Sequence, residues 1–329
     1  MEFSAFRIHN DAAGYRAGVE SMSADDLSPG EVLIRTAFSS VNYKDALAAT
    51  GAGKIIRRFP CVGGIDVSGV VASSLDARFK AGDNVLVTGY EMGVAHDGGY
   101  AELVRVPADW VVHLPAGLSL HDAMALGTAG FTAALSLYRL LQNDLKPENG
   151  KVMVTGATGG VASIAIDLLH KLGFNIVAMT GKTGEHDYLK SLGANEVLPR
   201  STADLNSTRP LERAQWAAAF DAVGGPTLAW LTRSMQQNGV IASFGNAGGV
   251  ELNTTVLPFI LRGVRLIGID SAATNMALRQ EIWKRLTNEW HPTQLDKLSH
   301  TISFDALPQV FPKMIRGELH GRTVIQFSH

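Results

Sequence analysis

The sequence predicts an α/β protein in which a small antiparallel barrel-like domain precedes a doubly wound parallel sheet. Three observations support this fold class. The chain has 329 residues, more than one compact core normally holds. Its first third contains many short β patterns separated by turn residues, whereas strand and helix patterns alternate from about His121 onward. Such alternation is typical of parallel strands joined by crossover helices.

The first third is predicted to consist mainly of strands. Turns such as Ser28-Pro29-Gly30 and Ala81-Gly82-Asp83 separate segments that are rich in β-branched residues. The predicted strands cover residues 32–38, 66–72, 84–88, 100–106 and 111–113. Helical patterns at 122–126 and 131–142 follow them.

The remainder is predicted to form a six-stranded sheet and a returning tail. Its strands cover residues 151–155, 175–180, 196–198, 217–222, 239–244 and 264–269. Helices are predicted at 159–172, 226–236 and 275–290. The tail, 302–327, has a strand–helix–strand pattern and is expected to pair with the first domain. The predicted domains are therefore 1–121 and 122–297, with 298–329 returning to the first.

Composition excludes several classes of protein. A net charge of −2 provides no basic field for nucleic acid or anionic lipid. The single cysteine, Cys61, excludes an intrachain disulfide and a cysteine-cluster metal site. The first residues contain no apolar signal core, and no apolar run approaches membrane-spanning length. We expect a cytoplasmic protein with no nucleic-acid or membrane partner.

The stretch VMVTGATGGVASIAI, residues 152–166, has the pattern of a strand, a glycine turn and a helix. Gly159 and Gly160 remove side chains where a backbone could approach a pyrophosphate. Ala157 and Ala162 stand where the dinucleotide fingerprint has its first and third glycines. The stretch is predicted to bind a dinucleotide, and the alternative is a structural turn of an α/β protein.

The end of the second predicted strand favours NADPH over NADH. An acid that would bind a free ribose 2′-hydroxyl is expected there, but the first carboxylate is Glu185. Thr180 and Lys182 offer a hydroxyl and a cation that suit a 2′-phosphate, and Arg200 adds a second cation. The alternative is that both cations are solvated loop charges.

Several separated blocks resemble the medium-chain dehydrogenase/reductase superfamily. They are SSVNYKDAL (39–47), GKIIRRFP (53–60), GGIDVSGVV (63–71), LGTAGFTAALSL (126–137) and VTGATGGVASIAI (154–166). Three more blocks, 170–182, 188–200 and 254–271, resemble its zinc-free quinone oxidoreductase-like branch, most closely the NADPH-dependent acryloyl-CoA reductase group. The resemblance runs to GRTVI at 321–325. It implies a Rossmann domain, a GroES-like domain and a homodimer formed through the strand at 264–269.

The positions that match the zinc ligands of metal-dependent relatives hold unsuitable residues. They are Asn42, Ile65-Asp66 and Gly127-Thr128-Ala129, whereas catalytic zinc is bound by cysteine, histidine and carboxylate side chains. The four-cysteine structural zinc loop is also absent from the sequence. We expect no bound metal and a zinc-independent reaction.

Asn42 and Tyr43, in the loop that matches the metal-ligand loop, are the predicted catalytic residues. The resemblance implies that Tyr43 contacts the cofactor, and its hydroxyl either donates to the substrate or only packs. Lys44 and Asp45 are expected to orient the loop by pairing with each other. Asp66, among β-branched residues, is expected to be a buried structural hydrogen-bonder.

Twelve further residues are predicted to bind the cofactor: Thr158, Gly159, Gly160, Val161, Thr180, Gly181, Lys182, Arg200, Asn246, Ile260, Ser271 and Gly317. For Ile260, Ser271 and Gly317 only the resemblance implies this role, whereas Asn246 also follows a strand end, where doubly wound sheets bind ligands. Lys54, Arg57 and Arg58 form a basic loop that either binds the phosphates of coenzyme A or is a solvated charge run. Cys61 is expected to be an inert packed thiol.

Three hypotheses for the function remain open. The first is NADPH-dependent reduction of the C=C bond of a short 2-enoyl-CoA such as acryloyl-CoA, by metal-free hydride transfer to the β-carbon, giving propanoyl-CoA. The second keeps the fold and cofactor but uses a quinone or a free enone. The third is a non-catalytic NADPH-binding protein.

Overall fold

The computed structural model describes residues 2–328. In chain order the strands are β1 Glu2–Asp11, β2 Gly14–Ser23, β3 Val32–Val41, β4 Cys61–Val62, β5 Asp66–Ser74, β6 Asn84–Thr88, β7 Leu103–Val106, β8 Val112–His113, β9 Lys151–Thr155, β10 Asn175–Thr180, β11 Glu196–Pro199, β12 Trp216–Asp221, β13 Met235–Ser243, β14 Arg265–Gly268, β15 Ser299–Ser303 and β16 Arg322–Gln326. The α-helices are α1 Tyr43–Thr50, α2 Leu120–Leu141, α3 Gly160–Lys171, α4 His186–Ser191, α5 Gly225–Ser234, α6 Leu257–Arg262, α7 Met276–Leu286, α8 Leu295–Leu298 and α9 Val310–Ile315.

The described chain divides into two compact units. The first contains the residues up to Ala129, Ser271–Thr287 and the residues from Leu295 onward. The second contains Gly130–Asp270 and Asn288–Gln294. This division places α7 in the first unit, whereas the predicted second domain runs without interruption through that helix. A physical reason is Arg279 of α7, which is 1% exposed and donates to the Thr88 carbonyl oxygen at 2.8 Å.

The first unit is built from two sheets. A three-stranded sheet has the order β2-β1-β4, and a larger one has the order β15-β16-β3-β5-β6-β8, with β7 also paired to β3. All of these pairs are antiparallel except β15 with β16. The predicted return of the tail is confirmed, because β16 pairs with β3. The hairpin of β1 and β2 was not predicted, since its strands mix polar and apolar residues.

The second unit contains a six-stranded parallel sheet with the order β11-β10-β9-β12-β13-β14. Every neighbouring pair is parallel. The order reverses between β9 and β12, and ligands of doubly wound sheets bind at the carboxyl ends of the strands beside such a switch. The predicted α/β fold class is confirmed, and β9 and β10 have the predicted bounds.

Helix α2 differs from the prediction in length. By length and composition it is the one helix among residues 2–328 that could cross a membrane, with a mean hydropathy of 1.2. However, 78% of that window is buried inside the protein, as in the core helix of a globular domain. The expectation that no apolar run approaches membrane-spanning length is therefore wrong for α2, which is long and apolar enough by these two criteria. The helix also contains a break at Gly127, which separates the two predicted helical patterns.

Apolar cores support each unit separately. In the first unit one core includes Phe6, Phe311 and Ile325, and a second core lies among strand residues such as Val67 and Val87. The core of the second unit includes Met153 and Trp230. The candidate sites described below are anchored on the strands that these cores fix.

Candidate active site

The loop that carries Asn42 and Tyr43 is fixed at the start of α1. Asn42 is the N-cap, with extended backbone angles of φ −118° and ψ 158°. The Asp45 carboxylate accepts a hydrogen bond from the Asn42 backbone N–H at 2.9 Å, which is one half of a capping box. Asn42 is 9% exposed and Tyr43 is 40% exposed. The helix start therefore holds Asn42 inward and leaves the Tyr43 ring accessible to a ligand.

Asp45 does not orient this loop by pairing with Lys44, so that prediction is wrong. Asp45 is 3% exposed, whereas Lys44 lies on the surface, because adjacent residues of a helix do not face each other. Besides Asn42, the Asp45 carboxylate accepts from the backbone N–H of Ile65 at 3.0 Å. Burial, together with the negative charge of Asp66, raises the pKa of Asp45 to about 7, against the opposing effect of the hydrogen bonds from Asn42.

Asp66 is the centre of a buried hydrogen-bond network. Its side chain is fully buried, and its Oδ2 accepts from Ser40 Oγ at 2.6 Å and from Asn42 Nδ2 at 2.8 Å. The backbone N–H and hydroxyl of Thr128 donate to the same carboxylate at 3.0 and 2.5 Å. The expectation of a buried structural hydrogen-bonder is confirmed. The three stretches that match zinc-ligand positions thus meet on one carboxylate.

Gly127 allows the chain to reach Asp66. Its backbone angles, φ 50° and ψ −154°, break α2. A Cβ at this position would lie 2.6 Å from Asp66 Oδ2, 2.8 Å from Ser40 Oγ and 2.9 Å from Arg322 Nη2. Only glycine satisfies both the backbone angles and this close approach. The break directs the Thr128 backbone N–H at the carboxylate.

Arg322 completes the network, and it was not predicted. It is 3% exposed, and its Nη2 lies 3.8 Å from Asp66 Oδ2. It donates to Asn42 Oδ1 at 3.1 Å and to Ser40 Oγ at 2.8 Å. A signal was present in the sequence, since an arginine opens the otherwise apolar strand pattern RTVI. We missed it because the partners lie 280 or more residues away in the chain.

Tyr100 borders the network on the Asp45 side. Its hydroxyl donates to the Ser40 carbonyl oxygen at 3.2 Å. Burial raises the pKa of Tyr100 well above its usual value, and the charge of Asp45 acts in the same direction. The phenol therefore stays neutral and acts as a hydrogen-bond donor.

These residues do not fit a zinc ion. The Asn42 amide oxygen accepts from Arg322, the Thr128 hydroxyl donates to Asp66, and Asp66 already accepts four hydrogen bonds. The Arg322 guanidinium would also repel a dication. Across residues 2–328 there is no group of three or more His, Cys, Asp or Glu side chains that could hold a metal. Zinc independence of the reaction stays a prediction.

In the second unit, the glycine turn follows β9 as the sequence predicts. Gly156 has φ 58°, and Gly159, with φ −74°, is the N-cap of α3. The first intrahelical hydrogen bond runs from the Ser163 N–H to the Gly159 carbonyl oxygen at 2.9 Å, so the N–H groups of Gly160 and Val161 precede it. A helix N-terminus of this kind favours an anion. Thr158, in the same turn, is 4% exposed.

The two alanines of the fingerprint are compatible with this turn. Ala157 and Ala162 are both fully buried, and the Ala157 N–H donates to the Met179 carbonyl oxygen at 3.1 Å. A methyl group therefore fits at each position where helix and strand pack.

The three residues proposed for a 2′-phosphate lie around one cavity beyond β10. This cavity of about 690 Å³ is lined by the segment 180–183, which contains Gly181, and by the segment 199–206. The Lys182 backbone N–H donates to Thr180 Oγ1 at 3.1 Å. A Cβ on Gly181 would lie 3.3 Å from Arg200 Cζ, so the guanidinium lies directly against the Gly181 backbone. Burial lowers the pKa of Lys182, and the Glu185 charge opposes that shift.

Asp221, another unpredicted residue, connects the glycine turn to the loop that carries Asn246. It is fully buried at the end of β12 and accepts from Thr155 Oγ1 at 2.6 Å and from the Gly224 N–H at 2.9 Å. Burial raises its pKa, against the hydrogen bond from Thr155. A Cβ on Gly224, whose φ is 69°, would lie 3.2 Å from the Asn246 Cα. Asn246 thus lies at the same carboxyl edge of the sheet as the glycine turn.

The remaining predicted cofactor residues are on other elements. Ile260 lies on α6 and is 68% exposed. Ser271 and Gly317 belong to the first unit. The Ser271 carbonyl oxygen accepts from Arg279 Nη2 at 3.1 Å, and Gly317 has φ 69° with open space around its Cα. Their role as cofactor contacts stays a prediction.

The basic loop is partly neutralised by neighbouring acids. Arg57 pairs with Glu91, and Arg58 lies 3.5 Å from the buried carboxylate of Asp97. Lys54 is exposed. All three cations remain accessible at the surface, but two of them also have structural contacts.

Cys61 is fully buried. Burial raises the pKa of its thiol to about 12, with the charge of Asp97 adding to the effect. The prediction that this thiol is packed is therefore confirmed, whereas its lack of reactivity, which would need the thiolate, stays a prediction.

Comparison with known proteins gives two family matches. Residues 28–116 match the alcohol dehydrogenase GroES-like domain, and residues 160–288 match the zinc-binding dehydrogenase domain. The chain is 45% identical over 325 residues to the "Putative quinone oxidoreductase YhfP" of Bacillus subtilis, covering 98% of each chain. It is 42% identical over 328 residues to the acrylyl-CoA reductase AcuI of Ruegeria pomeroyi, covering 99% of each.

Solved structures agree with these matches. The YhdH oxidoreductase of Salmonella enterica, crystallised with NADP, has a TM-score of 0.96 and 44% identity, with 100% of each chain covered. The Bacillus subtilis YhfP protein, crystallised with NAD, has a TM-score of 0.94 and 44% identity, with 99% of each chain covered. The chain belongs to the medium-chain dehydrogenase/reductase superfamily, as a two-domain GroES-like and Rossmann protein of the branch that includes these acrylyl-CoA reductase and quinone oxidoreductase relatives.

Proposed function

We propose that this protein is an NADPH-dependent oxidoreductase that reduces the C=C bond of a short 2-enoyl-CoA, most specifically acryloyl-CoA to propanoyl-CoA. The observation that carries the proposal is the network around Asp66. It occupies the positions where alcohol dehydrogenases hold zinc, and it contains no ligand set for a metal that would activate an alcohol. A substrate activated by conjugation needs no such metal. The acrylyl-CoA reductase relative supports the choice of substrate.

The second unit offers a fitting cofactor site along one edge of its sheet. Thr158, Gly159, Gly160 and Val161 would hold the pyrophosphate, because the N–H groups of Gly160 and Val161 precede the first intrahelical hydrogen bond and the start of α3 favours an anion. Thr180, Lys182 and Arg200 would hold the 2′-phosphate of NADPH in the cavity beyond β10. Asn246 would contact the cofactor at the same edge. When bound, the nicotinamide supplies the hydride.

The chain itself must stabilise charge on the thioester oxygen and bring a proton to the α-carbon. Tyr43 lies in the loop of the first unit that matches the metal-ligand loop, and the residue is 40% exposed. We assign it to the ligand, either as a donor to the developing enolate or as a surface for the cofactor ring. Asn42 has a different role, since its amide nitrogen donates to Asp66 and its oxygen accepts from Arg322. We therefore assign Asn42 to holding Tyr43 in place.

The basic loop is the proposed binding surface for the phosphates of coenzyme A. Replacing Lys54, Arg57 and Arg58 together by alanine should raise KM for acryloyl-CoA and make binding less sensitive to salt. The turnover number should change less than KM, because the loop would bind the coenzyme A part of the substrate and not its reacting carbons. A small quinone serves as the control acceptor, since it has no phosphates. Equal losses with both acceptors would make the loop structural.

The second candidate function is reduction of a quinone or a free enone with the same cofactor. The relative named as a quinone oxidoreductase favours it. A non-catalytic NADPH-binding role is the third candidate. The test is NADPH oxidation by the purified protein across a panel of enoyl-CoAs, free enones and quinones. The proposal expects the highest kcat/KM with acryloyl-CoA. A quinone as best acceptor would support the second function, and no turnover with any acceptor would support the third.

We further propose that the protein acts in the cytoplasm as a homodimer. Strand β14 is the edge of the parallel sheet, and an edge strand presents unpaired backbone groups to a partner. Exposed apolar side chains occur in the preceding segment, namely Val250, Leu252, Val256, Ile260 and Leu261. A second copy related by a two-fold axis would cover both features. Sedimentation equilibrium should give twice the chain mass of 35.1 kDa, and a monomer would contradict the proposal.

A further inference from the structure

We propose that Arg322 is a positioning residue of the reaction, which holds the Asn42 loop and the Gly127–Thr128 break around Asp66 in place of a metal ion. The inference rests on the proposed function for its catalytic consequence. It goes beyond that function because it assigns a role to a residue of the last strand, far along the chain from the predicted catalytic pair.

The guanidinium of Arg322 donates hydrogen bonds to two separate segments and lies beside a third, the Asp66 carboxylate of β5. Nε donates to the Ala125 carbonyl oxygen at 3.1 Å, within the turn of α2 that precedes the break. Nη1 donates to the Val41 carbonyl oxygen at 3.0 Å and to Asn42 Oδ1 at 3.1 Å. Nη2 donates to Ser40 Oγ at 2.8 Å, and Ser40 Oγ in turn donates to Asp66 at 2.6 Å. One planar group thus fixes β3, α2 and β5 relative to β16.

A metal centre joins distant segments by placing one positive charge among several ligands. Arg322 provides an equivalent charge, 3.8 Å from the Asp66 carboxylate, and both side chains are 3% exposed or less. The fork of a guanidinium is rigid and offers donors in several directions at once, which an ammonium group does not. Lysine could therefore keep the charge at this position but not the geometry.

The catalytic consequence follows from the position of Asn42. Asn42 is the N-cap of α1, and Tyr43 is the first residue of that helix. If Arg322 no longer restrains Asn42 Oδ1 and the Val41 carbonyl oxygen, the first turn of α1 and the Tyr43 ring become less ordered. A shift of about 1 Å in a catalytic group can reduce the rate by about 100-fold.

The test compares wild type with Arg322→Lys in two measurements. The first is hydrogen exchange at the amides of Asn42, Asp45 and Ala46 in the free protein, which needs no substrate. These amides donate within the first turn, the Asn42 N–H to Asp45 Oδ2 and the other two to the Asn42 carbonyl oxygen. We expect exchange to accelerate by at least about tenfold, as expected for local opening of a restrained turn.

The second measurement is steady-state kinetics with NADPH and with NADPH deuterated at the transferred position. We expect kcat to fall by about 100-fold, the dissociation constant of NADPH to stay within about twofold, and the isotope effect on kcat to rise. The isotope effect rises because misplacement slows the chemical step. A merely structural role would reduce the active fraction and leave the isotope effect of the remaining enzyme unchanged.

Arg233→Lys is the matched control for loss of a buried guanidinium. Arg233 is 6% exposed and donates to Glu212 at 3.0 Å within the second unit, whereas the Asn42 loop belongs to the first. It should lower stability without faster exchange at residues 42–46. If Arg322→Lys does not fold, Ser40→Ala takes its place, because it removes only the hydroxyl that links Arg322 to Asp66. For Ser40→Ala we expect a smaller acceleration of amide exchange at residues 42–46 and a smaller loss of kcat, again with a larger isotope effect.

Each outcome decides between distinct claims. Exchange at residues 42–46 that is no faster in Arg322→Lys and Ser40→Ala than in Arg233→Lys overturns the inference. So does a kcat loss with an unchanged isotope effect. If the wild type reduces no enoyl-CoA but exchange at 42–46 responds as expected, the proposed function fails while Arg322 keeps its role in holding the loop.

Discussion

Replacing Gly127 by alanine tests the geometry around Asp66 most sharply. The new methyl group would lie within 2.9 Å of three polar atoms of Asp66, Ser40 and Arg322. Two costs add. A non-glycine residue at φ 50° and ψ −154° costs roughly 1–3 kcal/mol in backbone strain. Overpacking of a filled interior costs roughly a further 1–3 kcal/mol. We therefore expect the free energy of unfolding to fall by about 2–6 kcal/mol.

Urea denaturation followed by circular dichroism measures this loss by linear extrapolation. Gly117→Ala is the matched control, because Gly117 also has a positive φ, of 86°, but nothing lies within 4 Å of its Cβ position. The free energy of unfolding of Gly117→Ala should fall only by the cost of backbone strain. The difference between the two variants gives the contribution of crowding at the Asp66 network. If Gly127→Ala costs no more than Gly117→Ala, the packing that we describe around Asp66 is wrong.

Three further predictions concern the cofactor, the metal and pH. Lys182→Ala should weaken NADPH binding by about 1.5–3 kcal/mol, the range for a hydrogen bond to a charged group, and barely change NADH binding; calorimetry that finds equal losses would remove its 2′-phosphate role. Purified protein should contain substoichiometric zinc and keep its activity after chelation, and activity that is lost to a chelator and restored by zinc would contradict zinc independence. Asp45 has a folded-state pKa of about 7, above the ordinary 3.8, so its contribution to stability is complete below about pH 4 and is lost as the pH rises through 7. The free energy of unfolding of wild type should therefore fall relative to that of Asp45→Asn across this interval, and a constant difference between the two would show that Asp45 does not titrate there.

The central strands of the parallel sheet could be predicted closely because they are buried on both faces. β9 and β10 are short apolar runs bounded by glycine, asparagine or threonine, and their bounds agree with the prediction. β1 was missed because its sequence, EFSAFRIHND, contains a single β-branched residue and its buried positions do not alternate strictly. The break of α2 at Gly127 agrees with the two separate helical patterns in the sequence, and the contacts with Asp66 that accompany the break could not be predicted.

The candidate site could be predicted where the residues lie in local motifs. The glycine turn, Thr180 and Lys182 have local signals, and the structure places each on the element expected. Asn42 and Tyr43 were identified through the family resemblance, and the structure places Tyr43 at the start of α1, a helix that was not predicted. Arg322 and Asp221 could not be found in this way. Their roles depend on contacts made after folding, to segments as much as 282 residues distant for Arg322 and 66 for Asp221. The predicted ion pair between Lys44 and Asp45 is wrong for a related reason. Asp45 is buried and accepts hydrogen bonds from Asn42 and Ile65, which the sequence order does not reveal.

The destination of the transferred hydride tests the central claim most directly. The purified protein is incubated in ordinary water with acryloyl-CoA and NADPH deuterated at the transferred position, and the product is analysed by nuclear magnetic resonance. The account predicts propanoyl-CoA with one deuterium at the β-carbon and a solvent proton at the α-carbon. Deuterium at the α-carbon, or consumption of NADPH with a quinone but not with acryloyl-CoA, would contradict it.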